Sequence, residues 1–191
     1  MAFVIPVLKG GDKKLLCNYR PITILNAFAK IFENIVTEHL HFHLKHKLYP
    51  NQHGFTPGRS ALTNLVQLSN FVQGHVKSRS QCDVIYIDLS KAFDTVDHEL
   101  LIGKLGLFPI YIKWFHNYLT NRTFKVKIGN TVSNLSKINN GIPQGSPLGP
   151  LLFNIFINDL CPLVTNSMLL LYADDIKIIK DVNSNIDNVI L

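Results

Sequence analysis

The sequence predicts an α+β fold, and three observations carry that reading. Segments with apolar residues at helical spacing alternate with short apolar or β-branched runs. Gly- and Pro-containing loops separate them, without any internal repeat. Aspartates stand at the ends of two of the apolar runs, Asp88 after one and Asp174-Asp175 after another.

Taken in order, residues 3–8 form a strand and residues 9–12 (Lys-Gly-Gly-Asp) a turn. Residues 15–25 contain Arg20-Pro21, and a residue before proline avoids the helical region, so this stretch is extended. Residues 27–47 place Phe28, Ile31, Phe32, Ile35, Val36, Leu40 and Leu44 on one helical face. Residues 49–60 are a loop, and residues 61–76 a second helix through Leu62, Leu65, Val66, Leu68 and Val72. Residues 82–89 form a short buried strand that reaches Asp88. Asp97 or His98 opens a helix through Leu101 and Leu105, and Pro109 restarts another through Ile112, Trp114 and Leu119. Residues 124–128 and 132–138 make a hairpin turning at Gly129-Asn130. After a Gly/Pro loop over residues 141–150, Ser146 serves as a cap and Pro147 fits a first helical turn, so residues 151–160 are helical. Residues 168–172 and 176–179 are two strands with Asp174-Asp175 near the turn between them. The single weak boundary lies at residues 78–81, where the helical pattern stops.

Of the 191 residues, 47% are apolar, so the chain can bury a core. Charge is uneven. Residues 1–60 carry eight Lys/Arg against three Asp/Glu, while residues 141–191 carry two against five. A basic front and an acidic tail suit a polyanionic partner and a separate cation site. Cys17, Cys82 and Cys161 are isolated, so neither a disulfide framework nor a zinc ribbon is indicated. His39 and His43 stand four apart on the first helix but have no matching Cys or acid, so no zinc site is assigned. No apolar run reaches the roughly 20 residues a membrane helix needs, so no membrane partner is expected.

If the strands bearing Asp88 and Asp174-Asp175 are neighbours in one sheet, three carboxylates converge on one edge. Converged carboxylates repel, and they take up protons unless a cation lies between them. Hard oxygen donors of this kind suit Mg²⁺. Two such ions roughly 3.5–4 Å apart promote phosphoryl transfer. Aspartate is also common in turns because it bonds local backbone groups. Composition and spacing leave both readings open. Asp94 and Asp97 need no chemistry: Asp97 suits a helix N-cap and Asp94 the turn before it.

Five segments in order bear a resemblance. Residues 87–98 (Ile-Asp-Leu-Ser-Lys-Ala-Phe-Asp-Thr-Val-Asp-His), residues 141–160 beginning Gly-Ile-Pro-Gln-Gly-Ser-Pro, and Tyr172-Ala173-Asp174-Asp175 look like motifs A, B and C of reverse transcriptases from non-LTR retrotransposons. Upstream, residues 18–22 (Asn-Tyr-Arg-Pro-Ile) and 52–60 (Gln-His-Gly-Phe-Thr-Pro-Gly-Arg-Ser) resemble finger segments of the same family, closest to its jockey-like LINE group. The match spans nearly the whole chain.

The resemblance implies an α+β polymerase right hand. Residues 1–80 would be a fingers-like segment and residues 81–191 the palm catalytic subdomain, with an antiparallel sheet packed on helices, in one continuous domain. The family continues with motif D, a primer grip and a thumb, so the chain reads as C-terminally truncated, the thumb absent, and poor at polymerisation by itself.

The implied function is an RNA-directed DNA polymerase core that adds deoxynucleotides to a primer by two-metal phosphoryl transfer during retrotransposition. Its partners would be an RNA template, a DNA primer and dNTPs, and its cofactor two Mg²⁺ ions, with Mn²⁺ as a substitute. Asp88 and Asp174 would bind the metals with the carbonyl of Leu89, and Asp175 would support them. Lys9 and Arg20 match the finger cations that grip a triphosphate. Phe93 matches the ring that clashes with a ribose 2′-hydroxyl. Gln144 and Gly145 would line the nucleotide pocket, and Arg59 would touch the template. The expected place is intracellular: the nucleus at the insertion site, with a cytoplasmic ribonucleoprotein stage. Two alternatives remain at this point, an RNA-directed RNA polymerase palm and an inactive relic that binds RNA. Phe93 favours deoxynucleotides over the first.

Overall fold

The computed structural model describes residues 1–105 and 109–182. In chain order its elements are β1 (Ala2–Leu8), β2 (Tyr19–Ile24), α1 (Ala27–Leu44), α2 (Ala61–Ser78), β3 (Gln81–Asp88), α3 (His98–Lys104), α4 (Pro109–Leu119), β4 (Arg122–Ile128), β5 (Thr131–Val132), β6 (Ser136–Ile138), α5 (Gly149–Ile157), β7 (Met168–Tyr172) and β8 (Asp175–Val182). The expected α+β class is what the chain adopts. Two compact units form, each from separate stretches: Met1–Lys45 with Lys91–Phe156, and His46–Ser90 with Ile157–Leu191. This partition cuts across a sequential division at residue 80.

In the first unit, β1 pairs antiparallel with β2, from Phe3↔Ile24 to Leu8↔Tyr19. It pairs parallel with β4 through Ala2↔Phe124, Phe3↔Lys125 and Val4↔Val126. β4 turns back at Gly129, which takes φ +56°, and pairs with β5 and then β6. Asn26 caps α1 by accepting from the Ala29 amide at 2.7 Å, and Asp97 caps α3 from the Leu100 amide at 2.9 Å. Val96, Leu101, Phe115, Leu119, Leu148 and Leu152 are fully buried and form the heart of this unit's core.

The second unit is simpler. β3, β8 and β7 make an antiparallel three-stranded sheet in that order. The α2 helix opens with a capping box, in which the Ser60 hydroxyl accepts from the Thr63 amide and the Thr63 hydroxyl from the Ser60 amide. It packs on β7 and β3. Leu169, Leu170 and Leu171 are all buried, so β7 is covered on both faces.

Two expectations need correction. Residues 82–89 were expected to be a buried strand, yet β3 is an edge strand, with Ile85, Tyr86 and Ile87 exposed. An apolar run is buried only where other elements cover it; β3 has a strand neighbour on one side alone, and Ile85, Tyr86 and Ile87 are left uncovered. The helix expected over residues 151–160 starts earlier and ends at Ile157, giving way to a 3-10 segment, Asn158–Leu163. Pro162 has no amide hydrogen and disfavours the helical region for Cys161, which explains the tightening.

Candidate active site

The register of the second unit decides where the acids go. β3 and β8 pair so that Asp88 lies directly opposite Asp175. β7 and β8 pair through Tyr172↔Asp175, which leaves Ala173 and Asp174 as a two-residue loop. The three aspartates therefore meet at one end of one sheet. Directly opposed residues hold their Cβ atoms about 4.5–5.5 Å apart, and like charges there are destabilising. Asp88 and Asp175 are exposed and Asp174 half-buried. Among the described residues, none of the three carboxylates has a hydrogen-bond or ion-pair partner. A hard divalent cation is the chemistry that this donor set fits. The fit lies in donor type and strand register: among the described residues, no three acid, His or Cys side chains already close on a point. Leu89 follows β3 immediately, one residue beyond Asp88.

Residues 51–64 brace the turn. Ala173 takes φ +55°, a left-handed conformation that costs a residue with a Cβ about 1–2 kcal/mol. The side chain of Gln52 grips it from both sides. Gln52 Oε1 accepts from the Ala173 amide at 3.0 Å and from the Gly54 amide at 2.8 Å. Gln52 Nε2 donates to the Ala173 carbonyl at 3.3 Å. The His53 amide donates to the Leu171 carbonyl at 2.8 Å and the Leu171 amide to the Asn51 carbonyl at 3.0 Å. Asn64 Nδ2 adds a bond to the Leu171 carbonyl at 3.1 Å. Gly54 passes so close that a Cβ on it would sit 2.1 Å from the Ala173 nitrogen. Gln52, His53 and Asn64 are buried polar residues. In the sequence, residues 52–60 stand out as a matching segment and for Arg59, and this role of Gln52 is not visible in that match. The available signal was a Gln and a Gly two apart, with Asn64 on an otherwise apolar helix face.

His53 is held at both ring nitrogens, by Thr63 Oγ1 at 2.8 Å and Gln67 Oε1 at 3.0 Å. Burial pushes its pKa below the usual imidazole range, with the Arg59 and Lys177 charges adding to the effect. Arg59, half-buried, has Nη1 3.4 Å from His53 Nε2.

The other candidates belong to the first unit. Lys9 and Arg20 share the β1–β2 hairpin, where Arg20 pairs with Val7 and the Lys9 amide donates to the Asn18 carbonyl at 2.7 Å; both are exposed. Phe93 sits in a 3-10 turn, its ring stacked on Phe153 with centroids 4.5 Å apart. Its carbonyl accepts from the Ile142 amide at 2.8 Å, tying it to the loop of Gln144. Gln144 Nε2 donates to Asp94 Oδ1 at 2.8 Å, and its carbonyl accepts from the Thr23 amide at 2.7 Å. Gly145 takes φ +102°, and a Cβ there would press within 3.0 Å of the Thr23 carbonyl. Gln144 also lines a cavity of about 180 Å³ with Thr23, Asp94, Arg122 and Asn140. Phe93, Gln144 and Gly145 thus fall on two loops joined by backbone bonds, while Lys9 and Arg20 stand together on the hairpin.

Glu33 escaped notice in the sequence, where it looks like a solvated helix acid. It is buried, and its two oxygens accept from Ser146 Oγ at 2.5 Å and Tyr118 Oη at 2.9 Å. Ser146 Oγ in turn accepts from the Leu148 and Gly149 amides, each at 3.1 Å, and so caps α5 as expected. Burial raises the Tyr118 pKa well above its ordinary value, and burial lowers that of Arg122.

Comparison with known proteins bears on the family and the fold. Residues 8–190 match the family described as Reverse transcriptase (RNA-dependent DNA polymerase). The chain is 33% identical over 195 residues to the RNA-directed DNA polymerase from transposon BS of Drosophila melanogaster, covering 96% of this chain and 22% of that protein. It is 30% identical to the RNA-directed DNA polymerase from the mobile element jockey of the same species, over 93% of this chain and 21% of that one. The chain thus spans about a fifth of the length of these relatives. Among solved structures, telomerase from Candida albicans superposes with a TM-score of 0.65 at 11% identity, over 100% of this chain and 38% of that one. Apo telomerase from Candida tropicalis, truncated from its C-terminal domain, gives 0.64 at 12% identity, over 90% of this chain and 43% of that one. The fold is theirs, and by sequence this chain belongs to the reverse transcriptase family.

Proposed function

We propose that this chain is the catalytic core of an RNA-directed DNA polymerase of a non-LTR retrotransposon, a nucleotidyltransferase that copies RNA into DNA. The observation that carries the reading is the register of Asp88 against Asp175 with Asp174 in the adjoining turn, all three carboxylates unpaired among the described residues. Residues 1–80 act as the fingers-like segment and residues 81–191 as the palm.

Divalent ions, two Mg²⁺ with Mn²⁺ as a substitute, supply charge neutralisation at the phosphates and lower the pKa of the attacking hydroxyl when bound. Asp88 and Asp174 would hold them, with the Leu89 carbonyl, and Asp175 would support them and the primer end. The remaining work belongs to the protein's own groups. Lys9 and Arg20 bind the triphosphate of the incoming dNTP; their exposure on one hairpin supports this role, since both heads are free to reach an anion. Phe93 excludes a 2′-hydroxyl by bulk, and its stacking on Phe153 supports a fixed ring. Gln144 and Gly145 line the nucleotide pocket; Gly145 is exposed beside Gln144, and its packing on Thr23 supports a fixed loop there. Arg59 contacts the template backbone. A primer 3′-hydroxyl attacks the α-phosphate and pyrophosphate leaves, so catalysis is positioning and charge stabilisation. The basic residues 1–60 suit an RNA template and DNA primer. The place of action we assign is the nucleus at the insertion site, after a cytoplasmic ribonucleoprotein stage.

Primer extension on poly(rA)/oligo(dT) with Mg²⁺ tests the reading, comparing the protein with its Asp174→Asn variant. Extension with dTTP that drops at least a hundredfold in the variant supports it. Equal extension by both, or a preference for UTP over dTTP, contradicts it.

A further inference from the structure

We propose that Gln52 is a positioning residue for the acid-bearing hairpin: its amide holds Ala173 in the left-handed conformation that sets where Asp174 and Asp175 stand. The consequence for metal binding rests on the metal reading of those acids.

The hairpin loop is Ala173-Asp174, and Ala173 has φ +55° although it carries a Cβ. Glycine is the residue that enters this conformation without a steric cost. Ala173 is buried, so no water relieves its backbone groups. Its amide and its carbonyl both find the same partner, the Gln52 side chain, at 3.0 and 3.3 Å. A primary amide alone among common side chains offers an acceptor and a donor in this fork; a carboxylate has no donor, and Leu has neither. Gln52 is itself immobilised. It is 4% exposed, its Oε1 takes a second bond from the Gly54 amide at 2.8 Å, and its backbone forms a parallel bridge with Leu171. Gly54 has no Cβ, which lets the strap reach the turn; a Cβ would fall 2.1 Å from the Ala173 nitrogen. The strap therefore over-determines one strained residue, next in sequence to two acids. Strain maintained in this way at a turn is a device for orienting the neighbouring groups.

The test compares wild type, Gln52→Ala, Ala173→Gly and the double variant, with Asp174→Asn as the control for metal binding. Two readouts are taken on each, Mn²⁺ affinity from loss of the free-ion EPR signal, and hydrogen exchange of the residue-173 amide. Gln52→Ala should speed exchange at residue 173 by at least tenfold and weaken Mn²⁺ binding by about tenfold. Ala173→Gly in that background should recover most of the Mn²⁺ affinity, because glycine keeps the loop conformation unaided. A merely structural loss would not be rescued by replacing one further residue with glycine. Should Gln52→Ala be too unstable to purify, Gln52→Glu and the double variant carry the comparison; Glu keeps the acceptor, loses the donor, and should bind less tightly than the double variant. Unchanged exchange at residue 173 in Gln52→Ala overturns the inference. So does a double variant that is folded yet no better than Gln52→Ala. If instead wild type and Asp174→Asn bind Mn²⁺ alike, the metal reading falls, and the exchange rates still decide the role of Gln52.

Discussion

Asp88 and Asp175 face each other across two paired strands with no ion-pair partner among the described residues, and like charges directly opposite are destabilising. Without divalent ions, Asp175→Asn should therefore raise stability by about 0.2–1 kcal/mol, a rise of about 0.4–4 °C in Tm for a chain of this size. Thermal unfolding with EDTA and with Mg²⁺ checks it: Mg²⁺ should stabilise wild type more than the variant, which keeps Asp88 and Asp174 but loses the supporting carboxylate. His53 gives a second prediction at this scale. Burial lowers its folded-state pKa below the ordinary 6.5, so between those two values the unfolded chain binds a proton that the folded chain refuses. Stability should fall as pH drops through about 6.5 and below. Urea unfolding between pH 7.5 and 5.5 should show a shallower decline for His53→Gln than for wild type, although the variant is less stable at pH 7.5.

Among elements, the helices were the most legible part of the sequence. The apolar spacing of α1, the Ser60 start of α2, the Asp97 cap of α3 and the Ser146 cap of α5 follow from local chemistry, and local chemistry is what a sequence displays. The hairpin carrying Asp174 was legible for the same reason. What stayed hidden depends on partners distant in sequence. The burial of Glu33 arises from Tyr118 and Ser146, 85 and 113 residues away, and the grip of Gln52 from Ala173, 121 residues away. The exposure of β3 likewise depends on which strands flank it. The Glu33–Ser146 bond yields a test at this scale. Ser146→Ala removes a helix cap, worth about 1 kcal/mol, and a hydrogen bond to a buried carboxyl, worth about 1.5–3 kcal/mol. Urea denaturation should show a loss of about 2–4 kcal/mol, while Ser146→Thr, which keeps the hydroxyl, should lose less.

For the molecule as a whole, family and fold follow from matches over nearly all of the chain, while the proposed metal chemistry rests on one sheet end in the second unit. There the strands, the Gln52 strap and the α2 helix all serve to place three acids that repel each other. The measurement that bears on this most directly is Mn²⁺ binding to the chain, followed by loss of the free-ion EPR signal, in wild type and in Asp88→Asn and Asp174→Asn. Saturable binding in wild type that weakens at least tenfold in each variant is the predicted result. Binding of equal strength in all three, with the variants folded, would contradict a metal centre on these aspartates.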